Sequence, residues 1–139
     1  GLNVGIGSTK EELLQYRAKR KELRQIEERI QDVRANARSA KAVRYDSVPS
    51  KENGEPVAAV QSYIEQLEIL SALYENKKAI DADVIAIELA ITSLPSELRT
   101  LMRYRYIDGL NWETINDLLY LSAPTSKRMH RRALAALQK

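Results

Sequence analysis

Apolar residues recur along the first third of the chain with a seven-residue period. Tyr16, Leu23, Ile30 and Ala37 mark one position of the repeat, and Ile26, Val33 and Ala40 the complementary one, with Lys19 the break. Alternating steps of three and four keep such residues on one stripe of a helix that meets a partner helix. The pattern predicts a coiled-coil helix of about 30 residues, roughly 45 Å long at about 1.5 Å per residue. Ser8 with Glu11, and Thr9 with Glu12, offer two overlapping capping boxes for its start. Residues 41–56 carry no such period. Val48-Pro49-Ser50 and Asn53-Gly54-Glu55-Pro56 are turn chemistry, and Pro56 suits the first turn of a following helix.

A second long helix is predicted from Ala59, Tyr63, Leu70, Leu73, Ile80, Val84, Ile87, Ile91 and Leu94, a stripe interrupted at Gln66 and Lys77. Val60, Ile64, Leu67 and Tyr74 widen its apolar face over the first half, leaving more apolar surface than one antiparallel neighbour covers. Leu94-Pro95 ends the helix, since proline disfavours helical backbone in the residue before it.

Residues 95–139 have a shorter rhythm. Ser96-Glu97 starts a helix running to about Ile107, and Asp108-Gly109 ends it, glycine supplying a left-handed cap. Asn111 caps a second helix from Trp112 to Leu119. Ser122 caps a third, with Pro124 in its first turn, running to about Leu137. Only Tyr120 and Leu121 separate the second from the third, which is helix-turn-helix spacing.

Charge divides the chain at nearly the same places. Residues 9–44 hold eleven Lys/Arg against six Asp/Glu, residues 45–98 three against ten, and residues 99–139 eight against three, within a net charge of +3. The basic and acidic arms are complementary, which leaves the basic C-terminal segment to face an anionic partner. Without cysteine there is no disulfide, thiolate zinc site or thiol nucleophile. No apolar run approaches the roughly 20 residues that span a bilayer, and no signal-peptide core is visible, so a cytoplasmic protein without a membrane partner is expected.

The residues Leu94-Pro95, Arg105-Tyr106-Ile107-Asp108-Gly109-Leu110, Asn111-Trp112-Glu113-Thr114-Ile115, Leu118-Leu119, Ser122, Thr125, Arg128, His130 and Ala133-Leu134 stand in a recognisable order. With these gaps, residues 94–137 resemble region four of bacterial sigma factors, the domain that contacts the promoter −35 element. Together with the two long helices ahead of it, the segment resembles the sigma-like late-gene regulators of phages, the ArpU/RinA type. The resemblance implies a phage or prophage transcription regulator that binds double-stranded DNA, with host RNA polymerase as a second candidate partner. Three positions depart from the family pattern. Tyr120 stands where the turn has glycine, Asn116 where a small alanine lets two helices close, and Ser126 where a β-branched apolar residue is usual.

Candidate DNA contacts follow from both readings. Met129, Ala133, Leu134 and Leu137 share one side of the third helix, and Lys127, Arg128, Arg131 and Arg132 fall on the rest. A guanidinium fork suits a guanine edge or a phosphate, and the same cations could simply be a solvated helix end favoured by the dipole. Thr125, Asn111 and Thr114 lie at helix starts, where a phosphate can be held, and Arg103 is a further candidate phosphate contact. Arg105 is expected to pack inside the domain or pair with Glu113 or Asp117, and Trp112 to lie as a lid over Tyr106. His130, the one histidine, reads as packing or a phosphate contact rather than a metal ligand or base. Gly5-Ile6-Gly7-Ser8-Thr9-Lys10 lacks the spacing and preceding strand of a phosphate-binding loop, and Glu65, Glu68 and Glu75 read as a solvated face.

The expected fold is all-α. A flexible tail at 1–8 precedes a long antiparallel helical hairpin over 9–94 with a connector at 41–56, and a helix-turn-helix domain follows over 95–139. No enzyme activity, cofactor or metal is expected, and a homodimer through the hairpin is. Two other readings stay open: DNA recognition for packaging in the manner of a small terminase subunit, and a coiled-coil adapter that docks a protein.

Overall fold

The computed structural model describes residues 9–46 and 55–138, and helix is the only regular structure among them. The elements are α1 (Lys10–Leu14), α2 (Tyr16–Asp46), α3 (Glu55–Thr92), α4 (Ser96–Met102), a π-helical turn (Arg103–Ile107), α5 (Trp112–Leu119) and α6 (Ala123–Leu137). The all-α expectation is met. The tail at 1–8 with its Ser8 cap, and the turn residues Val48-Pro49-Ser50 and Asn53-Gly54, lie outside the described residues, as do the side chains of Ala40 and Ala59.

Thr9 makes the expected cap: its Oγ1 accepts the Glu12 N–H at 3.2 Å and donates to Glu12 Oε1 at 2.9 Å. The first helix is then broken rather than continuous. At Gln15 the N–H turns back to Glu12 O, 3.1 Å away, and α2 starts at the next residue. Both long helices also reach into the expected connector, α2 to Asp46 and α3 from Glu55. Lysine, arginine and alanine are good helix formers, so α2 outlasts its apolar stripe.

Contacts gather the chain into two units, residues 22–79 and residues 1–21 with 80–139. The first is the outer hairpin. Leu23, Ile26, Ile30, Val33 and Ala37 of α2 are buried, as the heptad requires. Tyr63, Gln66, Leu70, Leu73 and Lys77 are half-buried at the matching spacing of α3. Gln66 and Lys77, which interrupt the apolar stripe, thus keep its register, and Lys77 Nζ lies 4.0 Å from Glu27 Oε1. Ile64, Leu67 and Tyr74 of the flanking stripe remain 40%, 44% and 44% exposed, so this side of α3 has no apolar neighbour within the unit.

The second unit joins the base of the hairpin to the C-terminal helices. Leu13 and Tyr16 come from the N-terminal side; Ile80, Val84, Ile87, Ile91 and Leu94 from the end of α3; Leu98, Leu101, Met102, Tyr106, Ile115 and Ala133 from beyond it. The proline boundary expected at Leu94-Pro95 is therefore not where contacts divide, because both sides of it are buried in one core. Arg99 fixes the corner by donating Nε and Nη2 to Leu94 O, each at 3.3 Å. Lys19, the break in the heptad, ion-pairs with Asp83 at 2.7 Å, and the Tyr16 hydroxyl donates to Glu88 Oε2 at 2.5 Å. Burial, and then the Glu88 carboxylate, push the Tyr16 phenol up to about 12. It is a hydrogen-bond donor at any physiological pH.

Two backbone positions shape the turns. Asp108 N–H reaches Arg103 O and Leu110 N–H reaches Tyr104 O, both at 2.9 Å, so the expected single helix from Ser96 ends in a widened turn. Gly109 follows at φ +73°, where a Cβ would lie 2.6 Å from Arg17 Nε. The Arg17 guanidinium donates to Ile107 O at 3.2 Å across that close approach. Tyr120, between α5 and α6, takes the left-handed conformation itself, φ 55° and ψ 47°, with its side chain 95% exposed.

A tyrosine in that region stores about 1–3 kcal/mol, partly offset by the roughly 0.5–1 kcal/mol of extra chain entropy that glycine loses on folding. Because the Tyr120 side chain is exposed, Tyr120→Gly is expected to stabilise the fold by about 1 kcal/mol in urea unfolding. A lower midpoint would contradict the strain. Leu101→Ala, in the shared core, is expected to cost about 2–5 kcal/mol.

Candidate nucleic-acid interface

The two helices on either side of Tyr120 are held by side-chain caps, as the sequence predicts. Asn111 Oδ1 accepts the Thr114 N–H at 2.8 Å, and Ser122 Oγ accepts the Thr125 N–H at 3.3 Å. Between them the Leu121 N–H returns to Asn116 O at 2.9 Å, so the turn is tight. Ser126 and Ala133, two turns apart, are the buried residues of α6, which packs on α4 and α5. Ser126 replaces an apolar residue without an orphaned hydroxyl, since its Oγ donates to Ala123 O at 3.1 Å.

With that side inward, Lys127, Arg128, Arg131 and Arg132 are all exposed. No carboxylate of a described residue lies within ion-pair distance of any of them. The cations flank α6 on both sides. Arg128 and Arg132 border an open groove of about 570 Å³ against the start of α4, floored by Leu119, Leu121 and Met129. Lys127 borders a smaller cavity on the other side.

The remaining sequence candidates are placed differently. Thr125 is half-buried, and its hydroxyl accepts from Ser122 Oγ at 2.8 Å and from Arg128 Nη2 at 3.4 Å. It steadies Arg128 rather than standing free. Asn111 and Thr114 are exposed at the start of α5, but the Asn111 carbonyl is spent on its cap. Arg103 is exposed on the π turn.

Arg105 does not pair with Glu113 or Asp117. Its Nη1 donates to Leu110 O at 3.1 Å, and its guanidinium carbon lies 5.1 Å from the centre of the Trp112 ring. The backbone carbonyl and the indole face take the place of a carboxylate. Trp112 meets His130 edge-on, with ring centres 4.9 Å apart, and His130 in turn stacks on Tyr106 at 5.8 Å. The expected lid over Tyr106 is thus made through the histidine. A 2.6 Å hydrogen bond joins Tyr106 Oη to His130 Nε2. Burial, helped by the nearby charges of Lys10 and Arg105, pushes the imidazole down to about 4.

Sequence reasoning missed that Lys10 reaches this place. It lines the smaller cavity with Trp112, Asn116, Ser126, Lys127 and His130, although more than a hundred residues separate it from them. Its charge was assigned with the basic arm to the acidic helix, and no periodic signal distinguishes it. Among the described residues no helix is long and apolar enough to cross a membrane, and no cluster of three or more His, Cys, Asp or Glu side chains could hold a metal. No protein-family model, curated protein or solved structure matches the chain.

His130 gives this body a pH dependence. Its folded pKa lies below the ordinary 6.5, so protons favour the unfolded chain. The contribution is complete above about pH 6.5 and declines as the pH falls to about 4. Urea midpoints of the wild type should fall across that window more steeply than those of His130→Gln, which cannot titrate. Equal slopes, or an imidazole NMR midpoint near 6.5, would contradict the packing.

Proposed function

We propose that the chain binds double-stranded DNA through α5, the Tyr120 turn and α6, with α6 as the helix that enters the major groove. The observation that carries this reading is the set of four exposed cations, Lys127, Arg128, Arg131 and Arg132, with no carboxylate partner among the described residues. A solvated face would serve equally well with its charges paired. Unpaired cations beside a tight turn retain their attraction for phosphate and base edges. The resemblance of residues 94–137 to sigma region four supports the same assignment. It extends the proposal to a sigma-like transcription regulator of a phage or prophage, with host RNA polymerase as a further partner.

Self-association belongs to this reading. Ile64, Leu67 and Tyr74 are exposed on α3 at steps of three and seven, with half-buried Val60 four residues before them. A second copy pairing there would present two recognition helices to two half-sites. Sedimentation is expected to give a dimer at tens of micromolar, reduced to a monomer by Leu67→Glu. A monomeric wild type would end that part of the proposal.

Duplex binding by the full chain is expected to weaken steeply with salt, by about 0.9 in log–log slope per phosphate neutralised. Arg128→Ala should cost on the order of 1–3 kcal/mol and relax one base position, whereas Arg131→Ala should weaken all sequences evenly and lower the slope by about 1. Arg24→Ala, on the hairpin, should leave binding nearly unchanged. If Arg24 mattered as much as Arg128, the interface would lie on the hairpin and this assignment would be wrong.

A further inference from the structure

The smaller cavity beside α6 has features that the DNA reading alone does not require. It encloses about 320 Å³, and two of its lining residues are lysines from opposite ends of the chain, Lys10 and Lys127. Neither lysine has a carboxylate of a described residue within ion-pair distance, and no acidic side chain lines the cavity. Like charges gathered at one small opening repel each other, and an anion between them removes that repulsion.

A second observation comes from the cavity wall. Asn116 Oδ1 is fully shielded from solvent and has no hydrogen-bond partner. A buried polar atom left unpaired costs about 1–3 kcal/mol, so it points to a missing occupant. The two ends of a side-chain amide exchange by a half-turn about χ2, and the turned amide presents Nδ2–H, a donor suited to an oxyanion. Asn116 is also one of the positions where the chain departs from the family pattern, so this wall is peculiar to it.

The end of α6 contributes little here. Pro124 has no N–H, the Thr125 N–H is held by Ser122 Oγ, and the Ser126 N–H is held by Ser122 O at 3.0 Å. Lysines and an amide, rather than a helix dipole, would have to hold the ligand. His130 cannot add a positive charge near neutral pH, because burial keeps it neutral.

We propose that this cavity is a phosphate site, filled in the complex by one backbone phosphate of the duplex held between Lys10 and Lys127. The inference rests on the DNA reading and enlarges it. The interface then includes the first turn of α1, so the two ends of the chain clamp one strand. It also gives the N-terminal helix a role beyond packing: it carries a cation to the flank of the recognition helix.

The test is duplex binding by the full chain, followed by fluorescence anisotropy over a salt series, for wild type, Lys10→Ala, Lys10→Arg, Lys127→Ala and Arg128→Ala. Lys10→Ala is expected to weaken all duplex sequences alike and to lower the salt slope by about 1, with Lys10→Arg restoring it. The double variant Lys10→Ala/Lys127→Ala should lose less than the two single losses together, because both act on one phosphate. A Lys10→Ala slope equal to wild type, with Arg128→Ala still weakened, overturns the phosphate site and leaves the DNA reading standing. No duplex binding by the wild type at low salt overturns both. A parallel titration with inorganic phosphate separates the two sources of the ligand. If free phosphate shifts the Trp112 indole resonance in wild type but not in Lys10→Ala, while duplex binding ignores Lys10, the site takes a small anion and the backbone assignment falls.

Discussion

A helix-turn-helix of three short helices has little interior of its own, and the protein's solution to that shortage governs the rest of its structure. Small domains bury a low fraction of their surface and are correspondingly marginal. Here Ile80, Val84, Ile87 and Ile91 of α3, with Leu13 and Tyr16 from the N-terminal side, enter the same core as Leu98, Leu101, Met102 and Ile115. Each such side chain adds about 1.5–3 kcal/mol when fully buried. The hairpin base is therefore part of the C-terminal body, and α6 is held firmly enough to keep four cations facing outward.

The same constraint explains the polar contacts of that body. Lys19 with Asp83, Tyr16 with Glu88, and Arg17 with the Ile107 carbonyl tie the first turns of α2 to α3 and to the π turn. Gly109 is required on two counts: its positive φ reverses the chain, and its missing Cβ makes room for the Arg17 guanidinium. At Tyr120 the chain accepts strain instead, since an exposed tyrosine occupies a position that suits glycine.

Much of the architecture was legible in the sequence because periodic burial leaves a periodic trace. The buried residues of α2 from Leu23 to Ala37 are those of the heptad, and Thr9, Asn111 and Ser122 cap the helices they were expected to cap. What escaped has no period. Lys10 beside Lys127, Arg105 over Trp112 and His130 between two aromatic rings are contacts of distant residues, set by how the helices pack. Lys19 looked like a flaw in the stripe because its partner, Asp83, lies on another helix. The boundary at Pro95 marks a change of backbone direction, which local sequence encodes, and says nothing of which core each side joins.

The central claim concerns where an anionic polymer touches the chain. Amide hydrogen exchange of the full-length protein, with and without a duplex at low salt, locates that contact without altering a side chain. Added protection is expected in the first turns of α5 and α6 and across the Tyr120 turn, with the α3 segment 60–79 unchanged. Protection confined to residues 22–79, with α6 unaffected, would contradict the account and assign binding to the hairpin.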